Sequence, residues 1–179
     1  MVAAVDLFTD KGYDATTVAE IASRAGVTRS TFFRHFPDKR ELLVAGQETL
    51  SRLLASGIAD ADTDATPLQA VAAGLGRACS EMRPLGRQVG SRLTAAVAAS
   101  TELQERDALK RVGLAAAIAT ALVARGLPEP RARLAAELGV LALKEGYARW
   151  LASERDEDGL TALVLAALDE FSGEAAALR

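Results

Sequence analysis

The sequence predicts an all-helical protein, and three observations carry that expectation. Half of the 179 residues are hydrophobic, dominated by Ala and Leu, while aromatics make up only 4%; such a composition favours helix over strand. No stretch shows the apolar/polar alternation of a half-buried strand. Helix-start signatures, a Ser, Thr or Asp followed three residues later by Glu or Gln, recur at Thr17–Glu20, Asp38–Glu41, Thr66–Gln69 and Thr101–Gln104. In each, the two side chains satisfy N–H groups that a helix leaves unpaired in its first turn.

Taken in order, these marks place about nine helices. The first is Val2–Lys11, stopped by Gly12; the second, Val18–Ala25, opens on the Thr17 box; the third is Arg29–His35, capped by Thr28. A long fourth helix is expected over Lys39–Ile58, followed by the linker "DADTDAT", Asp60–Thr66. The fifth, Pro67–Glu81, carries proline at its first position, where the missing N–H costs nothing. Helices over Leu85–Ala99, Glu102–Arg125, Pro130–Ser153 and Leu160–Phe171 complete the chain, with Gly126 and Gly173 at expected stops.

Several function classes find no support. A single cysteine, Cys79, can neither close an internal disulfide nor build a zinc site, which suits a reducing cytoplasm. The longest apolar run, Val112–Ala124, falls short of the roughly 18 to 20 residues of a membrane span, so no membrane partner is expected. There is no "GxxxxGK" phosphate loop, "GLGRAC" at Gly74–Cys79 lacks the third glycine of a dinucleotide fingerprint, and the lone His35 has no carboxylate or cysteine near it. No enzyme activity, cofactor or metal is expected.

The charge is clustered rather than spread. Net charge is −3, yet between Arg24 and Arg40 five cations (Arg24, Arg29, Arg34, Lys39, Arg40) face the single acid Asp38, a local +4. Clustered positive charge is the footprint of a nucleic-acid partner. The same window reads as two short helices joined by the tight turn "AGV", with Gly26 where a positive φ is needed. Phe32 and Phe36, four apart, share one face suited to packing on Phe8, Ile21 and Val27. Arg29, Ser30 and Phe33 occupy the opposite face. This is a helix-turn-helix, whose second helix enters the major groove of DNA.

The stretch "LFTDKGYDATTVAEIASRAGVTRSTFFRHFPDKRELL", Leu7–Leu43, resembles the DNA-binding domain of the TetR family of transcriptional repressors. That resemblance implies base-edge contacts from Arg29, Ser30 and Phe33. Physics favours Arg29, since a bidentate guanidinium–guanine pair discriminates by about 1–3 kcal/mol. Thr17, Thr28, Thr31, His35 and Lys39 match positions that resemble phosphate contacts, which orient the protein without reading sequence. Phe33 departs from the tyrosine usual in the family. Family members also carry a longer first helix preceded by a basic arm, whereas this sequence opens at Met1 within that helix.

The resemblance further implies a DNA-binding domain over 1–45 and a ligand-binding and dimerisation domain over 46–179. In the family the last two helices pair across a two-fold axis. The eighth helix here has two apolar stripes, Val140, Leu143, Tyr147, Trp150 and Leu151 beside Leu134, Leu138 and Leu141, and two stripes mean two surfaces to cover. The expected dimer residues are Leu143, Tyr147, Trp150, Leu163, Leu168 and Phe171. Met82, Leu93, Val97, Leu114 and Ile118 are the expected lining of an effector pocket among helices five to seven. The chain therefore reads as a ligand-responsive regulator, a repressor by expectation. It would bind double-stranded, palindromic operator DNA as a homodimer and be released by a small, largely apolar effector, with helix four as the lever. The alternative is a dimeric helical small-molecule-binding module with weak or lost DNA binding.

Overall fold

The computed structural model describes residues 1–81, 86–153 and 159–178, and every regular element among them is helical. In order they are α1 (Val2–Lys11), α2 (Val18–Arg24), α3 (Arg29–His35), a 3-10 helix η1 (Lys39–Val44), α4 (Gln47–Ala59), α5 (Pro67–Glu81), α6 (Arg87–Ala98), α7 (Thr101–Ala124), α8 (Glu129–Ala152) and α9 (Leu160–Ala177). The chain forms two compact units, Met1–Ala45 with Leu85–Lys110, and Gly46–Pro84 with Arg111–Arg179.

The first unit is built around the helix-turn-helix. Gly12 and Gly26 end α1 and α2 at φ values of 84° and 70°, a region open to glycine at little cost. Its core joins Ala4, Phe8, Tyr13, Ile21, Ala22, Phe32, Leu42 and Leu43 to Ala96 of α6 and Leu103 of α7, with Leu93 and Val97 packed against them. Val27, expected inside, is 41% exposed. The expected division at residue 45 assigns α6 and the start of α7 to the second domain; the fold packs them under the first. Leu93, Ala96 and Val97 recur at helical spacing, and they meet a partner far away in sequence.

Three expectations are corrected here. The fourth helix is not continuous: η1 ends at Val44, Ala45 leaves the helical region, and Gly46 has φ 82° before α4 begins. Good helix formers on both sides hide this break, which needs only one glycine. The seventh helix is capped by Ser100, whose hydroxyl accepts from the Leu103 N–H at 3.4 Å, not by the Thr101–Gln104 pair; the Gln104 amide instead donates to the Ala98 carbonyl at 2.9 Å. Gly173 does not stop α9, which runs on to Ala177 through an alanine-rich segment.

In the second unit helices approach closely through glycine. A Cβ on Gly57 would lie 2.7 Å from the Cα of Gly74, and one on Gly74 2.7 Å from the Leu54 carbonyl, so α4 and α5 pack backbone to backbone. Gly146 of α8 meets the backbone of Val164 in α9 in the same way. Leu54, Ile58, Val71, Leu75, Ile118 and Leu122 fill the core, each side chain of this size contributing about 1.5–3 kcal/mol on burial. Arg125 closes the end of α4: its guanidinium donates to the carbonyls of Ile58 (3.1 Å), Ala61 (2.9 Å) and Asp62 (2.6 Å), groups a helix terminus leaves unpaired.

Candidate nucleic-acid interface

The two helices of the motif are fixed by side-chain caps. Thr17 and Glu20 form the expected box: the Thr17 hydroxyl accepts from the Glu20 N–H at 3.3 Å and donates to the Glu20 carboxylate at 2.7 Å, while the Thr17 N–H donates back at 2.9 Å. Lys11 also binds Glu20. These contacts, Lys11 first, hold the Glu20 carboxyl down at about 2. Thr28 caps α3 by accepting from the Thr31 N–H at 3.1 Å, and its hydroxyl lies 2.9 Å from those of Ser30 and Thr31. Three hydroxyls thus gather at one exposed helix start.

Phe32 anchors α3 in the core, 5.4 Å from the Phe36 ring and edge-on to Phe33 at 5.6 Å. Arg29, Ser30, Phe33 and His35 are exposed, as the motif requires. The spread of charge is narrower than the sequence implies. Arg24 pairs with Asp6 at 3.4 Å and Asp10 at 3.8 Å, and Arg40 with Asp38 at 2.6 Å and Glu102 at 3.3 Å. Lys39 turns inward: its ammonium donates to the carbonyls of Tyr13 (2.7 Å) and Thr16 (3.1 Å) and stands 4.0 Å from the Tyr13 ring centroid. Arg29 and Arg34 are left with no carboxylate partner among the described residues.

Arg34 was absent from the sequence-based set, although periodicity contains it. At about 100° per residue, Ser30 and Arg34 fall roughly 40° apart and opposite the Phe32–Phe36 edge. The exposed residues of α3 are Arg29, Ser30, Phe33, Arg34 and His35.

The other expected sites divide between the two units. Leu93 and Val97 pack on the helix-turn-helix core, whereas Leu114 and Ile118 are buried in the core of the second unit; Met82 lies outside the described residues. A recess of about 440 Å³ in the second unit is lined by Asp60, Asp62, Asp64 and Gln69, an acidic lining unlike the apolar one expected of an effector pocket. Of the expected dimer residues, Leu168 is 4% exposed and belongs to the core, Leu143 and Phe171 pack against it, and Leu163 is half-buried. Tyr147 and Trp150 stack at 5.8 Å. The outward apolar groups of α8 are Leu134, 63% exposed, and Leu141, 45% exposed. No described helix is long and apolar enough to cross a membrane.

The fold and the exposed face of α3 define an all-helical helix-turn-helix protein. Residues 1–45 match the family described as bacterial regulatory proteins, tetR family. The chain is similar to the transcriptional activator FasR of Mycolicibacterium smegmatis, 39% identical over 61 residues that cover 34% of this chain and 28% of FasR. It is similar also to the regulator TcmR of Streptomyces glaucescens, 34% identical over 68 residues that cover 38% of this chain and 30% of TcmR. The chain thus matches less than a third of the length of these relatives. Solved structures carry the likeness of fold across the rest: a protein of Mesorhizobium loti MAFF303099 assigned to the TetR-family transcriptional regulators shares it at a TM-score of 0.57 and 22% identity, covering 94% of this chain and 91% of that one. AmtR of Mycobacterium smegmatis does so at 0.50 and 20% identity, covering 93% and 82%.

Proposed function

We propose that this protein is a DNA-binding transcriptional regulator that acts as a homodimer on a two-fold symmetric site and is switched by a small, largely apolar effector. The carrying observation is that Arg29 and Arg34 are both exposed on α3 with no carboxylate partner among the described residues. Free guanidiniums on an exposed recognition helix are the groups that bond guanine edges and phosphates. Thr17, Thr28, Thr31 and His35 supply the proposed phosphate contacts around them.

Dimerisation is proposed through α8 and α9, on the exposed Leu134 and Leu141 of α8. The effector proposal rests on the second unit, where Leu114 and Ile118 line the apolar core, since Leu93 and Val97 are engaged by the helix-turn-helix. Repression is the proposed direction of control; FasR, a relative in the DNA-binding segment, is an activator, so that segment does not by itself fix the sign. Binding isotherms on duplex DNA across salt concentrations test the reading. A log–log slope of several units, reporting phosphates neutralised at about 0.9 each, supports it. No retention of duplex at low salt supports the effector-binding module instead.

A further inference from the structure

Resting on that DNA-binding reading, we propose that Glu102, in the first turn of α7, is a positioning residue for DNA binding that acts on the helix-turn-helix from outside it, through Tyr13 and Arg40. One carboxylate oxygen, Oε1, accepts from the Tyr13 hydroxyl at 3.1 Å and lies 3.3 Å from Arg40 Nε. The Tyr13 ring is buried, edge-on to Phe8 at 5.1 Å, and the Lys39 ammonium stands 4.0 Å from its centroid. That ammonium donates to the Thr16 carbonyl at 3.1 Å, and Thr17 is the cap of α2. Each group is held by the one before it: Glu102 fixes the Tyr13 ring, the ring and its carbonyl fix Lys39, and Lys39 fixes the turn that aims α2 and, across Gly26, α3. Through Arg40 the same carboxylate holds the start of η1.

Glu102 has neighbours in this task. Arg106 pairs with Glu41, and Lys110 donates to the Leu43 carbonyl at 3.4 Å. The three residues are four apart and share one face of α7, and that face binds three successive points of η1 and the turn before α2. Buried Leu103 sets where α7 sits; the polar face sets how the motif is held against it. Of the three, only Glu102 reaches the Tyr13–Lys39 group.

The test uses the full chain and a fluorescent duplex that the wild type has itself selected from a random pool, with affinity and melting temperature measured for E102A, E102Q and Y13F. E102A and Y13F are expected to bind about three- to tenfold more weakly, the scale of one such hydrogen bond, while remaining fully folded at the assay temperature. E102Q, whose amide carbonyl still accepts from Tyr13, is expected to regain most of the loss. A fully folded E102A that binds as tightly as the wild type overturns the inference alone. So does an E102Q no better than E102A, because the Tyr13 bond then carries nothing. A wild type that selects no duplex overturns the DNA-binding reading and this inference together.

Discussion

At the scale of the residue, the recognition helix turns on two guanidiniums. Arg29→Ala is expected to lose about 1–3 kcal/mol on a preferred duplex and to relax preference at one base pair; equal losses on preferred and random duplexes would make Arg29 a phosphate contact. Lys39 is read differently from its sequence position. Its donors are engaged by the Tyr13 and Thr16 carbonyls, so Lys39→Met is expected to lower unfolding stability by about 1–3 kcal/mol, leaving those carbonyls unsatisfied. Denaturant unfolding measures this, and a reduced salt slope of DNA binding at full stability would return Lys39 to the phosphate set. Glu20 supplies a pH signature. Its folded value, about 2, lies below the ordinary 4.5, so its contribution is present above about 4.5 and lost as pH falls toward 2. Amide exchange in α2 should rise across that window in the wild type and show no such step in Glu20→Gln; the same step in both would free the box of any role. The reading of these positions from sequence expected Arg29, Ser30 and Phe33 on the outside of α3, and all three are exposed. It missed the inward turn of Lys39, because a run of cations does not say which of them meets a carbonyl of its own chain.

At the scale of the element, local chemistry made most helices legible. The Thr17 and Thr66 boxes form as expected, the latter with Thr66 N–H to Gln69 at 2.8 Å and Gln69 N–H to Thr66 at 3.3 Å. Asp38 caps η1, accepting from the Arg40 and Glu41 N–H groups at 2.7 and 3.2 Å, but its partner Glu41 reaches Arg106 instead of closing the box. The break at Gly46 was not legible, since a glycine within an apolar, helix-forming stretch reads as tolerated until its φ is known. Gly46→Ala is therefore expected to destabilise by roughly 1–2 kcal/mol, the cost of a left-handed residue with a Cβ. Chemical denaturation checks this, and a stabilised variant would mean that a continuous η1–α4 helix is within reach. Glycines at helix crossings were equally silent in the sequence. A Cβ on Gly57 meets backbone, which cannot swing aside as a side chain does; Gly57→Ala should cost about 1–3 kcal/mol by overpacking.

At the scale of the whole molecule, the fold class and the DNA-binding segment could be read from composition and one motif, while the arrangement of the remainder could not. Apolar stripes on helices announce that they must be covered, but not by what: Leu168 proves to be covered within its own unit, and Leu134 and Leu141 remain outside. The dimer proposal accordingly rests on those two. Leu134→Glu with Leu141→Glu should yield folded monomers, because an unpaired charge buried in an interface costs several kcal/mol; sedimentation showing a monomeric wild type at micromolar concentration would contradict it. The central claim, that this chain reads DNA sequence as a symmetric pair, is tested most directly by letting the wild type select duplexes from a random pool at physiological salt and sequencing what it retains. The account predicts an enriched inverted repeat with guanine at a fixed position of each half-site, and loss of that guanine preference in Arg29→Ala. Enrichment of no sequence, or of one without two-fold symmetry, would contradict it.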